Sequence, residues 1–215
     1  DMRSALLDVG VHRLSLGVQS FDDEVLHWLG RKHRRVQAID AVRWAVEHVP
    51  QVSCDLIIGV PCGPTTRVAD DLRRLIDLNV GHVSTYMLTV EPDTALDKLV
   101  SLGRKSDVDD DHQADDYDAV RDALLAAGYA QYEVSSFAKP GQNSAHNRLY
   151  WGQGMWLGLG PGAHSLFITD DGRHIRRAHG GDIASYLSSP IPVVDDELDG
   201  YSAYVEAVAF GLRDV

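Results

Sequence analysis

The run HNRLYW, His146 to Trp151, sets an imidazole beside two large rings, and LGLGPGAHS at Leu157 to Ser165 follows it closely. A neutral imidazole is a good iron ligand, aromatic faces can lie against a flat macrocycle, and glycines let backbone approach where side chains would clash. The combination suits a planar, iron-bearing ligand, and the neighbours Asn147, Tyr150 and Trp151 set His146 apart from an ordinary lone histidine. Flanked by Gly141, Gly152 and Gly154, the two rings read as belonging to a loop, either presented to a ligand or anchoring that loop on the core. His164 is read as an ordinary hydrogen-bonded histidine.

A second set of polar residues sits where strands end. Asp55 lies within the apolar run VSCDLIIGVP, where a carboxylate must find donors, a cation or a ligand amine or hydroxyl to offset its desolvation. Side chains alternate along a strand, so a ligand-facing Asp55 puts Cys54 under the helices. Gln19 ends the run RLSLGVQ, as a ligand contact at the strand edge or as a loop cap. Arg31, after a helical turn ended by Gly30, can hold a carboxylate bidentately or stay solvated. The turn GVPCGPTT lacks the lysine and glycine spacing of a phosphate cradle, so Thr65 or Thr66 is expected only to cap the next helix.

The elements that position these residues alternate. Arg13 to Val18, Val52 to Val60 and His82 to Val90 read as strands. Between them Ile39, Val42 and Val46 share one helical face, as do Val68, Leu72, Leu75 and Ile76. This βαβ pattern predicts a parallel sheet with ligands at the carboxyl ends of its strands. The acidic stretch Asp107 to Asp118 opens a helix with Tyr117, Val120 and Leu124 inward, ending at Gly128, its acids solvated. One strand is expected over Gln131 to Phe137, a loop over residues 139–156, a glycine-interrupted strand over Leu157 to Ile168, and helices over Asp182 to Leu187 and Tyr201 to Leu212. The opening, Ala5 to Gly10, reads as the tail of a helix.

The chain has 215 residues, 44% hydrophobic, and a formal charge of −12 from 32 acids against 20 bases. That balance argues against a broad nucleic-acid surface. The basic run Arg173, His174, Arg176, Arg177 and His179 reads as solvated surface. No apolar stretch reaches spanning length and the first residues lack signal-peptide order, so a cytoplasmic location is expected. Two cysteines separated by seven residues make neither a disulfide framework nor a complete metal site.

Taken together, RLSLGVQSFDDEVLHWLGRKH, CDLIIGVP, VSTYMLTVEPDTAL, YEVSSFAKPG, HNRLYW and LGLGPGAHS resemble the HemW family of heme chaperones, relatives of oxygen-independent coproporphyrinogen III oxidase within the radical S-adenosylmethionine superfamily. The resemblance implies an α/β fold: later strands of a partial (βα) barrel over residues 1–100, a mixed α+β extension over 101–200, and the start of a C-terminal domain over 201–215, the chain being truncated at both ends. It places Gln19, Arg31, Asp55 and Thr89 at S-adenosylmethionine sites and His146, Asn147, Tyr150 and Trp151 at heme, with His146 on iron. It implies heme transfer to apo-hemoproteins, among them respiratory proteins at the membrane, without catalysis, and a homodimer as one assembly. The alternative is the oxidase, which decarboxylates a porphyrinogen. The family's CxxxCxxC motif for a [4Fe-4S] cluster is absent from this chain, as is its glycine-rich S-adenosylmethionine motif.

Overall fold

A computed structural model describes residues 2–62 and 66–213. The chain divides between Asn143 and Ser144 into two compact units. In the first, α1 (Met2–Asp8), β1 (Arg13–Gln19), α2 (Asp23–Trp28), α3 (Arg35–His48), β2 (Gln51–Ile58), α4 (Thr66–Asp77), β3 (His82–Met87), α5 (Ala95–Ser101), α6 (Asp110–Ala126), β4 (Ala130–Glu133) and β5 (Ser136–Ala138) follow in order. Strands β1, β2 and β3 are parallel; β5 is antiparallel to both β3 and β4, giving the open order β1-β2-β3-β5-β4. The architecture is a mixed α/β fold on an open sheet.

Register explains the layering. Leu16 pairs with Cys54, and Cys54 with Val83, so one face of the sheet carries Leu16, Cys54, Leu56, Ile58, Val83 and Phe137, all part of one core. Helices α3, α4 and α6 cover it with Val42, Leu72, Leu75, Val120 and Leu124, each essentially inaccessible. Full burial of such side chains is worth about 1.5–3 kcal/mol apiece. The other face pairs Ser15 with Ser53, Ser53 with His82, and Asp55 with Ser84. The same alternation that builds the core thus gathers polar side chains opposite it.

Several expectations are revised. Gln131 to Phe137 forms the two strands β4 and β5 around a turn at Val134 and Ser135, which no Gly, Pro or Asn announces. The acidic stretch is not wholly solvated: Gln113 and Asp116 are buried on the same face of α6 as Val120 and Leu124. Asp116 accepts the Gly59 backbone N–H at 2.9 Å, and Gln113 donates to the Leu88 carbonyl at 2.7 Å. Thr94 caps α5, unforeseen in the sequence, by accepting the Asp97 N–H at 3.2 Å. The capping expected of Thr65 or Thr66 lies outside the described residues.

The second unit comprises α7 (Ala145–Trp151), β6 (His164–Ile168), β7 (His174–Ala178), α8 (Ile183–Ser188), β8 (Val193–Leu198) and α9 (Gly200–Gly211), its strands antiparallel in that order. The run expected as a loop contains α7, because Ser144 caps a helix by accepting the Asn147 N–H at 3.3 Å. Only His164 onward of the expected Leu157 to Ile168 strand is extended as β6; the stretch before it folds back so that Trp156 bridges Leu166. A Cβ at Gly158 would lie 2.1 Å from the His164 carbonyl oxygen, so only glycine permits that return. The basic run spans the middle strand, β7, and two of its arginines meet acids of β8: Arg176 with Asp196 at 3.2 Å, and Arg173, just before the strand, with Glu197. Among the described residues no helix is long and apolar enough to cross a membrane.

Gly59 has φ +68°, and a Cβ there would come within 2.3 Å of Gln113 Cγ. A Gly59→Ala substitution should therefore combine left-handed strain with displacement of the Gln113 tie, costing on the order of 2 kcal/mol. Urea denaturation of the two proteins side by side would show a lower midpoint for the variant.

Candidate functional site

The first polar constellation occupies the open face and carboxyl edge of β1–β3. Asp55 is half-buried and accepts from the Ser15 hydroxyl at 3.2 and 3.3 Å and from Ser84, with the Arg13 charge nearby. Its donors are these residues and not Arg31. Burial raises its pKa, an effect opposed by Ser15, Ser84 and Arg13 in that order. Cys54 points the opposite way into the core, where desolvation pushes its thiol pKa far up.

Gln19 follows an irregularity in the β1–β2 ladder and takes φ 67°, uncommon for a residue with a side chain. That conformation folds its amide back over Gly17, on the strand face that carries Ser15. Two buried carboxylates set the turns around it. Asp71 of α4 accepts from the Ser20 hydroxyl at 2.6 Å and the Phe21 N–H at 2.8 Å, and burial lifts its pKa to about 6. Asp116 fixes the turn after β2 in the same manner. Arg31 is exposed beyond α2, its backbone N–H closing on the Leu26 carbonyl at 2.9 Å. Thr89 is exposed just past β3, beside a groove lined by Val90, Asp97, Lys105 and Gln113.

Beneath Asp55 lies a buried chain that sequence reasoning missed. Ser53 Oγ is 2.7 Å from His82 Nδ1, and His82 Nε2 is 2.6 Å from the Tyr132 hydroxyl. A neutral imidazole, one nitrogen donating and one accepting, satisfies two hydroxyls. Burial, aided by Arg13, lowers the His82 pKa to about 3. The signal was present: His82, Ser84 and Tyr86 alternate along β3, as Arg13 and Ser15 do along β1.

The second constellation is a row of rings in the second unit. One turn apart on α7, the exposed His146 and the half-buried Tyr150 are edge-on at 4.8 Å, with the Tyr150 hydroxyl 3.0 Å from His146 Nε2. Trp156 also meets Tyr150 edge-on, at 4.7 Å, its indole N–H donating to the His164 carbonyl at 3.0 Å. Trp151 turns elsewhere, packing on Phe210 of α9 at 5.8 Å with Arg213 over its ring. Asn147 is half-buried and contributes its backbone to the Ser144 cap. The motif thus separates into an exposed imidazole with its ring wall and a tryptophan that fastens α7. Trp156 was not singled out in the sequence, since only the turn at Gly158 brings it back to Tyr150.

Residues 2–62 match the model of the radical SAM superfamily. The chain is 42% identical over 174 residues to the mitochondrial radical S-adenosyl methionine domain-containing protein 1 of Bos taurus, covering 79% of this chain and 39% of that protein. It is 41% identical over 170 residues to the heme chaperone HemW of Escherichia coli (strain K12), covering 78% and 43%. The chain belongs to the HemW family of radical SAM proteins. It spans less than half the length of these relatives. The solved coproporphyrinogen III oxidase HemN of Escherichia coli, a radical SAM enzyme, superposes with a TM-score of 0.71 over 92% of this chain and 48% of that one, at 20% identity, which shows a shared fold.

Membership of the superfamily implies S-adenosylmethionine and a [4Fe-4S] cluster. The cluster does not fit this chain's own residues. Iron–sulfur clusters are held by thiolates, and of the chain's two cysteines Cys54 is sealed in the core while burial raises the pKa of Cys62. No group of three or more His, Cys, Asp or Glu among the described residues is placed to hold a metal ion. S-adenosylmethionine fits better, since Asp55 offers a partly exposed carboxylate and Gln19 an amide at one sheet edge.

The His82 chain generates a stability prediction. The folded pKa, about 3, lies below the ordinary value near 6.5, so the stability it supplies is present above pH ~6.5 and lost as pH falls toward 3. Asp71, whose folded pKa is raised, acts with the opposite sign over part of that range. Comparison with a His82→Gln variant isolates the histidine: from pH 7 to pH 5 wild type should lose about 2 kcal/mol relative to the variant, read from urea midpoints at both pH values.

Proposed function

We propose that this chain carries the heme-holding part of a heme chaperone, with His146 as the iron ligand and the Tyr150 and Trp156 rings as a wall for the macrocycle. The observation that carries this reading is the exposed His146 imidazole at the end of a fixed row of rings. Imidazole supplies the donor atom, and ring faces supply apolar contact to a flat ligand. Trp151 and Asn147 serve by holding α7 in place. The name of the Escherichia coli relative, heme chaperone HemW, agrees with this chemistry.

In the whole protein, Asp55 and Gln19 bind polar groups of S-adenosylmethionine, Arg31 a carboxylate, and Thr89 the same edge. Heme passes from His146 to apo-hemoproteins, including those of the respiratory chain at the membrane, without chemical conversion. The setting is cytoplasmic and the assembly a homodimer. What the chain's residues do in this scheme is bind and orient: Ser15, Ser84 and Arg13 keep Asp55 in position, while Asp71 and Asp116 hold the turns that end β1 and β2.

Hemin titration followed by Soret absorbance tests the reading. His146→Ala should weaken binding at least about tenfold, with far-UV circular dichroism unchanged. Equal affinity in the two proteins sinks the assignment. Release of carbon dioxide from coproporphyrinogen by the full-length protein, given reductant and S-adenosylmethionine, would favour the oxidase instead.

A further inference from the structure

The nitrogen that iron would take on His146 is already engaged. Nδ1 of a histidine adjoins Cβ and, on a helix, the backbone, which a wide macrocycle cannot clear; Nε2, at the far end of the ring, is the accessible donor. In this chain the Tyr150 hydroxyl lies 3.0 Å from that atom. A phenol is the better acid and an imidazole nitrogen the better base, so the hydroxyl donates and the Nε2 lone pair is taken up.

The phenol does not depend on His146 for its place. Trp156 packs against its ring at 4.7 Å and 79°, and Trp156 is itself fixed by its indole bond to the His164 carbonyl and by two backbone bonds with Leu166, at 3.2 and 3.0 Å. Tyr150 is thus held to the wall while His146, exposed at the row's open end, is free to turn from it.

We propose that Tyr150 is a displaceable cap on His146: its hydroxyl occupies the nitrogen that iron must take, holds the unloaded imidazole against the ring wall, and reclaims it when heme leaves. The proposal rests on His146 being the heme ligand. Heme binding then exchanges a hydrogen bond for an iron bond, and the exchange reverses on release, which suits a carrier that must give up its cargo. Tyr150 is a positioning residue in this scheme.

Tyr150→Phe removes the hydroxyl and keeps the ring between His146 and Trp156. Loss of a competing hydrogen bond of ordinary net strength should tighten hemin binding roughly three- to tenfold and slow hemin transfer to apomyoglobin by a similar factor. A tyrosine that merely supports the fold or the ligand would weaken binding when truncated, the opposite direction. Unchanged or weaker binding by Tyr150→Phe, with His146→Ala defective, overturns the cap and leaves the heme reading standing. Wild-type affinity in His146→Ala overturns the heme reading and the cap with it. Nitrogen NMR of the ligand-free wild-type chain gives a check that needs no variant: the cap requires the His146 proton on Nδ1, and a proton on Nε2 overturns it.

Discussion

Everything in the first unit follows from one constraint on β2: neighbouring side chains must face opposite sides of the sheet. Cys54, Leu56 and Ile58 need cover, which α3, α4 and α6 provide, and that commits Ser53 and Asp55 to the uncovered face. A half-buried carboxylate is costly unless donors surround it. β1 and β3 answer with Ser15, Arg13 and Ser84, so the three strands are chemically matched across the open face as well as packed across the closed one. The edge is then shaped by two acids drawn from the helix side. Asp71 and Asp116 each accept a backbone N–H from the turns after β1 and β2, and Gln19, just before the first of those turns, takes a conformation that a free chain would seldom adopt.

The second unit rests on different physics. Among its described residues few side chains are fully buried, and Leu166 is the large one that is. Its sheet is registered by charge: basic residues of β7 face acids of β8, and Arg176 also reaches Glu206 on α9. The more exposed of these pairs contribute little each, so they choose register more than they add stability. Trp151 against Phe210 supplies the apolar contact that ties α7 to α9. The outcome is a short helix fastened on one side and presenting its imidazole on the other.

The long periodic elements were legible because they obey one period throughout. RLSLGVQ and VSCDLII alternate, and Val68, Leu72, Leu75 and Ile76 recur at helical spacing, so the parallel strands and their crossover helices could be read directly. The β4–β5 turn could not, because Val134 opposes a turn and Ser135, without a Gly, Pro or Asn beside it, is only a weak turn signal. α7 was obscured by flanking glycines and a proline, although Ser144 three residues before Asn147 is a cap signal. β7 was taken for surface because basic residues predominate in it; the acids that neutralise them lie some twenty residues on. For the site, Asp55 stood out as a charge among apolar neighbours and His82 could be read from its alternation with Ser84 and Tyr86, whereas the partnership of His82 with Tyr132 depends on strand pairing, and that of Trp156 with Tyr150 on a chain return at Gly158, neither of which a local pattern encodes.

The contact between Tyr150 and Trp156 has an optical consequence. The chain has four indoles, Trp28 and Trp44 in the first unit and Trp151 and Trp156 in the second. Phenol and indole in van der Waals contact share excitation, and a porphyrin absorbs where indole emits. A heme seated against the ring row would therefore darken Trp156, which touches Tyr150, so the protein's own ultraviolet fluorescence reports when that row is occupied.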